Sequence, residues 1–147
     1  MRVNRRVNCA CIIVALAVGA FTPAAALTRP AAAALEQCVA ATTPGSFAAN
    51  AVALCTRAIA LNRRSAMAHK RRCTAYLQVG DYRRALRDCN RAIARDRHNA
   101  DAYLNRGIAY DGIGNRARAI ADYRKALRLD PSNQAAKDQL SLATKAR

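Results

Sequence analysis

The side chains in this chain with the widest chemical range are six cysteines, two histidines and a single glutamate, Glu36. Cys9 and Cys11 lie in an apolar N-terminal run. The other four, Cys38, Cys55, Cys73 and Cys89, are 16 to 18 residues apart, and beyond that run no Cys-x-x-Cys occurs. Dithiol redox chemistry of that type is therefore excluded. His69 and Cys73 are one helical turn apart and with Cys89 could line one spot, but three ligands without a clear fourth do not make structural zinc, so no metal is expected. The four cysteines remain either buried free thiols or a disulfide framework, and an even number favours bridges in one of three connectivities wherever a small chain is exported.

The inventory for catalysis is thin. Enzymes need a nucleophile, base or metal held in a concave site. The only histidines are His69 and His98, and no glycine-rich phosphate loop and no carboxylate cluster occurs. No enzymatic role and no cofactor are expected.

Charge points to partners. Lys and Arg number 25 against 9 Asp and Glu, a net charge of +16. Without Arg2, Arg5 and Arg6 the balance is 22 − 9, or +13. This favours acidic partners, although a GC-rich coding bias also yields arginine over lysine with abundant alanine. Arg83, Arg84, Arg87, Arg91, Arg95 and Arg97 form one run, with Arg87, Arg91 and Arg95 at i, i+4 spacing; Arg116, Arg118, Arg124, Lys125 and Arg128 form a second. Such runs are solvated helix faces or docking faces for an anionic polymer or membrane. Nucleic acid is not the expected partner, because no stacking aromatics interleave these arginines.

The first 26 residues read as an address. Arg2, Arg5 and Arg6 precede an unbroken apolar run of 13 residues, Cys9 to Phe21, followed by Ala24-Ala25-Ala26. That order is a secretory leader with cleavage after Ala26, and it places the mature chain in the periplasm or outside the cell. An uncleaved anchor would instead hold it at the membrane.

The elements that position these groups follow from a 34-residue period. Residues 66–99 and 100–133 agree at 12 of 34 positions. Residues 32–65 share Ala51 with Ala85 and Ala119, and Ala58 with Ala92 and Ala126. Each unit reads as two helices. In the last, Tyr103, Gly107 and Tyr110 recur at helical spacing, and Gly112-Ile113-Gly114-Asn115 makes the turn. A second helix carries Ala119, Ile120, Tyr123, Ala126 and Leu127 on one face, and Asp130-Pro131 stops it. The fold class is all-α.

Tyr103, Gly107, Tyr110, Ala119, Tyr123, Ala126 and Pro131 fall at positions 4, 8, 11, 20, 24, 27 and 32 of the last unit. This pattern resembles the tetratricopeptide repeat family. The middle unit keeps Tyr76, Ala85 and Ala92 but has His69, Cys73, Cys89 and Arg97 at positions 4, 8, 24 and 32. The first keeps Ala51 and Ala58. The resemblance implies a short right-handed superhelix of three helix-turn-helix repeats, 32–65, 66–99 and 100–133, with a polar-backed capping helix and tail in 134–147.

In that register Cys38 and Cys55 occupy positions 7 and 24, and Cys73 and Cys89 positions 8 and 24. Positions summing to about 32 lie opposite each other in such a hairpin, so the expected bridges are Cys38–Cys55 and Cys73–Cys89. Each would stabilise by roughly 3 kcal/mol. Units with cysteine at position 24 lack the aromatic found there in the last unit, so the bridges stand in for packing.

The resemblance also implies a concave groove lined by first helices. Its expected residues are Met67, Lys70, Arg71, Thr74, Leu77 and Gln78 from the middle unit and Asp101, Leu104, Asn105, Ile108 and Asp111 from the last. Ala33, Glu36, Gln37 and Ala40 would extend it. Some family members grip a peptide carboxylate with Lys, Asn and Asn; Lys70 and Asn105 fit two of those places and Thr74 departs at the third. The expected function is a non-enzymatic adaptor binding a protein or peptide of acidic character. The alternative is a basic surface-binding protein that holds an anionic polymer or membrane through its second helices.

Overall fold

A computed structural model of the chain describes residues 23–42 and 48–145, with side chains from residue 30 onward except at 48 and 49. Among the described residues there are seven helices: α1 (Pro23–Ala41), α2 (Ala48–Leu61), α3 (Ala66–Gln78), α4 (Tyr82–Arg95), α5 (Ala100–Gly112), α6 (Arg116–Leu129) and α7 (Gln134–Lys145). Most of the expected leader, residues 1–22, lies outside the described residues, and Pro23 to Ala26 form the backbone of the first turn of α1.

Local chemistry places the helix ends. Ser65, Asp81, Asn99 and Asn115 each precede a helix, and each side chain accepts from the backbone N–H three residues on, at Ala68, Arg84, Ala102 and Arg118. These bonds satisfy N–H groups that have no partner within the helix. Gly80 and Gly114 end the first helices of the two hairpins at φ of 75° and 81°, a conformation that L side chains rarely adopt. The turns are duplicates. The Asp81 N–H donates to the Tyr76 carbonyl as the Asn115 N–H does to that of Tyr110, at 2.9 and 2.8 Å. At the end of α6 the Ser132 hydroxyl and N–H donate to Asp130, which holds its carboxyl below the usual carboxylate range.

The helices pack as three consecutive hairpins, α1–α2, α3–α4 and α5–α6, closed by α7. Among the described residues α1, α3, α5 and α7 each also touch the next in that row, whereas α2, α4 and α6 do not touch one another. The first helices therefore form the inner, concave row, and the second helices fan apart on the convex side. The result is an all-α solenoid of helical hairpins.

Its core is built from small residues. Ala51, Ala58, Ala85, Ala92, Ala119 and Ala126 are buried on the second helices and let helix backbones approach closely. Among the described residues Tyr123 is the largest fully buried side chain. The structure bridges Cys38 to Cys55 and Cys73 to Cys89, each within its own hairpin, across 17 and 16 residues of sequence. Fully burying a large apolar side chain contributes about 1.5–3 kcal/mol and closing a loop of this length about 3 kcal/mol, so one staple matches one missing core aromatic.

Candidate functional site

Two faces carry polar chemistry. On the inner face, α3 and α5 are joined by a short ladder. Lys70 Nζ donates to Asp101 Oδ2 at 2.9 Å, and Asn105 Nδ2 donates to Thr74 Oγ1 at 3.0 Å. Thr74 Oγ1 in turn donates to the Lys70 carbonyl at 3.2 Å. Four of the expected groove residues are thus brought together, with the Lys70 ammonium and the Asn105 amide already bonded within the protein.

The other expected residues divide. Met67 and Gln78 are exposed on α3. Arg71 is half-buried, and its Nε has no hydrogen-bond partner among the described residues. Leu77 packs against the Cys73–Cys89 cluster. Leu104 is 8% exposed and Ile108 packs beside it, in a cluster that includes Ala136 and Ala143 of α7. Asp111 is exposed, 3.9 Å from Arg116 Nε. Ala33, Glu36, Gln37 and Ala40 are exposed on α1.

The convex face holds residues that sequence reasoning passed over. Arg72 donates from Nε and Nη2 to both oxygens of Asp88 at 2.7 and 2.9 Å, and Arg106 does the same to Asp122 at 2.7 and 2.8 Å. Each Nη1 reaches the preceding hairpin, to Thr56 Oγ1 at 3.1 Å and to Asn90 Oδ1 at 2.9 Å. One guanidinium thus ties three helices. The carboxylate bonds raise both arginine pKa values above the ordinary one. Each arginine also lies against the tyrosine one turn on, Arg72 at 6.0 Å from the Tyr76 centroid and Arg106 at 5.9 Å from that of Tyr110; Arg84 and Arg118 approach the same rings at 5.8 and 5.6 Å. The signal was present in the sequence. Arg and Asp recur at positions 7 and 23 of both units, and those positions face each other across the hairpin.

His69 stands where the last unit has Tyr103, but it is buried rather than stacked. Its Nδ1 lies 3.3 Å from Asp88 Oδ1 and its Nε2 lies 3.2 Å from the Arg63 carbonyl. Cys73 and Cys89 are bonded to each other, which withdraws them from the three-ligand metal reading. Among the described residues no group of three His, Cys, Asp or Glu side chains could hold a metal ion, and no helix is long and apolar enough to cross a membrane.

Paired helices repeating at 34 residues, with small residues at the crossings, define a helical repeat scaffold, and comparison with known proteins places it. A family model for the tetratricopeptide repeat matches residues 71–134. The TPR domain of OM64 from Arabidopsis is 33% identical with a TM-score of 0.75, the match covering 80% of this chain and 96% of that one. The second TPR domain of human RPAP3, solved in complex with the HSP70 peptide SGPTIEEVD, is 28% identical with a TM-score of 0.73, over 80% and 98% of the two chains. The first TPR of Spaghetti (RPAP3), bound to the HSP90 peptide SRMEEVD, is 26% identical with a TM-score of 0.74, over 80% and 92%. No curated protein matches the chain. The chain belongs to the tetratricopeptide repeat family and carries the fold of a protein-interaction module.

Proposed function

We propose that this protein is an exported, non-enzymatic adaptor whose concave face binds a peptide or protein segment of acidic character. The observation that supports this reading is the polar ladder Lys70–Asp101 and Asn105–Thr74 on adjacent first helices, flanked by exposed Met67 and Gln78. Similar domains have been solved with the acidic peptides SGPTIEEVD and SRMEEVD. An incoming carboxylate would compete with Asp101 for Lys70. Asp101 is 58% exposed at its side chain and that of Lys70 only 10%, so the incoming carboxylate takes the place of Asp101 as Asp101 turns to water.

The test is fluorescence anisotropy with a panel of acidic peptides, each with a free and an amidated C-terminus. Replacing Lys70, Arg71 and Asn105 together by alanine weakens binding at least about tenfold, a loss of 1.4 kcal/mol. Peptides that bind the triple variant as tightly as the parent would remove the concave face from the reading. Export has its own measurement, the non-reducing intact mass of protein recovered from the producing cell. A chain beginning at Leu27 with two bridges supports it, and an intact N-terminus or four free thiols overturns it.

A second reading is that the arginine-rich second helices hold an anionic polymer or membrane. The observation in its favour is that Arg87, Arg91 and Arg95 of α4 are all exposed. Binding through that face falls steeply between low and moderate salt, whereas binding in the inner groove loses much less.

A further inference from the structure

The convex row is open between α2 and α4. A cavity of about 370 Å³ lies there over α3, with Ile59 and Ala60 as an apolar wall and Arg63, Arg91 and Arg95 around it. A second cavity of about 190 Å³ adjoins it, lined by Tyr76, Arg84 and Arg87. Arg72 and Arg91 line both. Among the described residues six guanidinium groups thus border one continuous cleft whose lining includes a single carboxylate, Asp88, which is 2% exposed and already held in two bonds by Arg72. Arg91 approaches Asp88 only to 3.6 Å, and Arg95 donates to the Arg91 carbonyl of its own helix.

The next cleft along the solenoid shows why this one is open. Thirty-four residues on, His69 becomes Tyr103, Arg95 becomes Leu129 and Arg87 becomes Ala121. The Tyr103 ring fills that second position, with Arg106 at 5.4 Å and Lys125 at 5.7 Å from its centroid. In the first cleft the smaller His69 ring turns inward to Asp88, so the wall has no ring on which Arg91 could stack. Lys125, which stacks on a ring in one cleft, has its counterpart Arg91 facing the cavity in the other, and the Arg87 and Arg95 of the open cleft are replaced by Ala121 and Leu129 in the filled one.

Resting on the second reading above, we infer that this cleft binds an oligophosphate anion, with linked phosphoryl groups seated in the two cavities and bridged by Arg72 and Arg91. Guanidinium groups match phosphoryl oxygens in paired geometry. The larger cavity falls within the usual size of small-ligand sites. Two joined cavities select a linked anion over a single one.

The test is calorimetric titration of the oxidised protein with tripolyphosphate and with orthophosphate at about 0.15 M salt, where exposed charges are largely screened. Tripolyphosphate binds at least about tenfold tighter than orthophosphate. Arg91→Gln with Arg95→Gln weakens it by about tenfold or more. Arg124→Gln with Arg128→Gln removes the same charge from α6 and leaves it unchanged. His69→Tyr, which fills the cleft as Tyr103 does, abolishes binding; should that variant not fold, the arginine pairs still decide. Equal losses in both arginine pairs, equal affinity for the two anions, or no binding at millimolar tripolyphosphate would overturn the inference. Vesicles containing phosphatidylglycerol separate the sources. Vesicle binding that tripolyphosphate displaces assigns the site to lipid phosphates, and vesicle binding that it does not displace counts against the cleft. Peptide affinity of the Arg91/Arg95 variant stays at the parent value, so failure here is distinguishable from failure of the concave-face reading.

Discussion

The Tyr123 ring lies directly on the backbone of Gly107: a Cβ added at Gly107 would sit 2.5 Å from Tyr123 Cε1. One repeat earlier, Cys73 and Cys89 hold the corresponding places and are bonded to each other. The same point of the hairpin is closed by a buried ring on glycine in one unit and by a covalent bridge in the other.

Gly107→Ala should therefore destabilise despite the higher helix propensity of alanine. Propensity favours the change by about 1 kcal/mol, and the buried ring cannot swing away without overpacking costs of about 1–3 kcal/mol. A net loss of up to about 2 kcal/mol is expected in urea unfolding. The pair Gly107→Cys with Tyr123→Cys should form a third bridge, read as the loss of 2 Da in intact mass. Two free thiols under oxidising conditions would show that the two hairpins are not interchangeable there.

Reducing the bridges should cost stability hairpin by hairpin. Cys38→Ser with Cys55→Ser, and Cys73→Ser with Cys89→Ser, are each expected to lose about 3 kcal/mol in urea unfolding, and the reduced parent about twice that. Helix content by circular dichroism under native conditions should change little for either single-bridge variant. A pair whose removal leaves the midpoint unmoved carries no structural weight.

The Arg106–Asp122 pair is buried enough that breaking it from one side should be expensive. Asp122 is 6% exposed, and its loss leaves a guanidinium without its carboxylate. Asp122→Ala is expected to cost about 3–5 kcal/mol, whereas Arg106→Met with Asp122→Leu should recover much of that loss. A double-mutant cycle with a coupling energy near zero would show that the pair merely coexists with the packing.

Tyr123 should make stability fall in alkali. Burial, with help from the Asp111 and Asp122 charges, pushes its phenol from 10.0 up to about 12. The folded state thus keeps the phenol protonated where the unfolded state has lost the proton. Its contribution is complete below about pH 10 and disappears as the pH rises toward 12, by about 2–3 kcal/mol. Its Oη is buried without a partner among the described residues, so Tyr123→Phe should be neutral or stabilising by up to about 1 kcal/mol at pH 7. The difference between parent and variant should widen above pH 10. Parallel alkaline unfolding curves for the two would rule out this tyrosine as the cause.

What could be read from the chain alone was whatever repeats along it. The 34-residue period, small residues at the helix crossings, capping side chains and turn glycines act within one hairpin or at one turn, so they determine the helices and the solenoid from spacing alone. The cysteine pairing was legible for the same reason, because a hairpin maps sequence distance onto opposition. Contacts between units were decided only by tertiary structure. Arg72 drew no reading from spacing, and only the fold sets it against Asp88 and Thr56; Leu104, expected in the groove, packs in one cluster with Ala136 and Ala143 of α7. His69 sits in a position that specifies a ring but not its direction. Whether that ring stacks outward or turns toward a buried carboxylate depends on three helices meeting, and this choice leaves one convex cleft open and the next one filled.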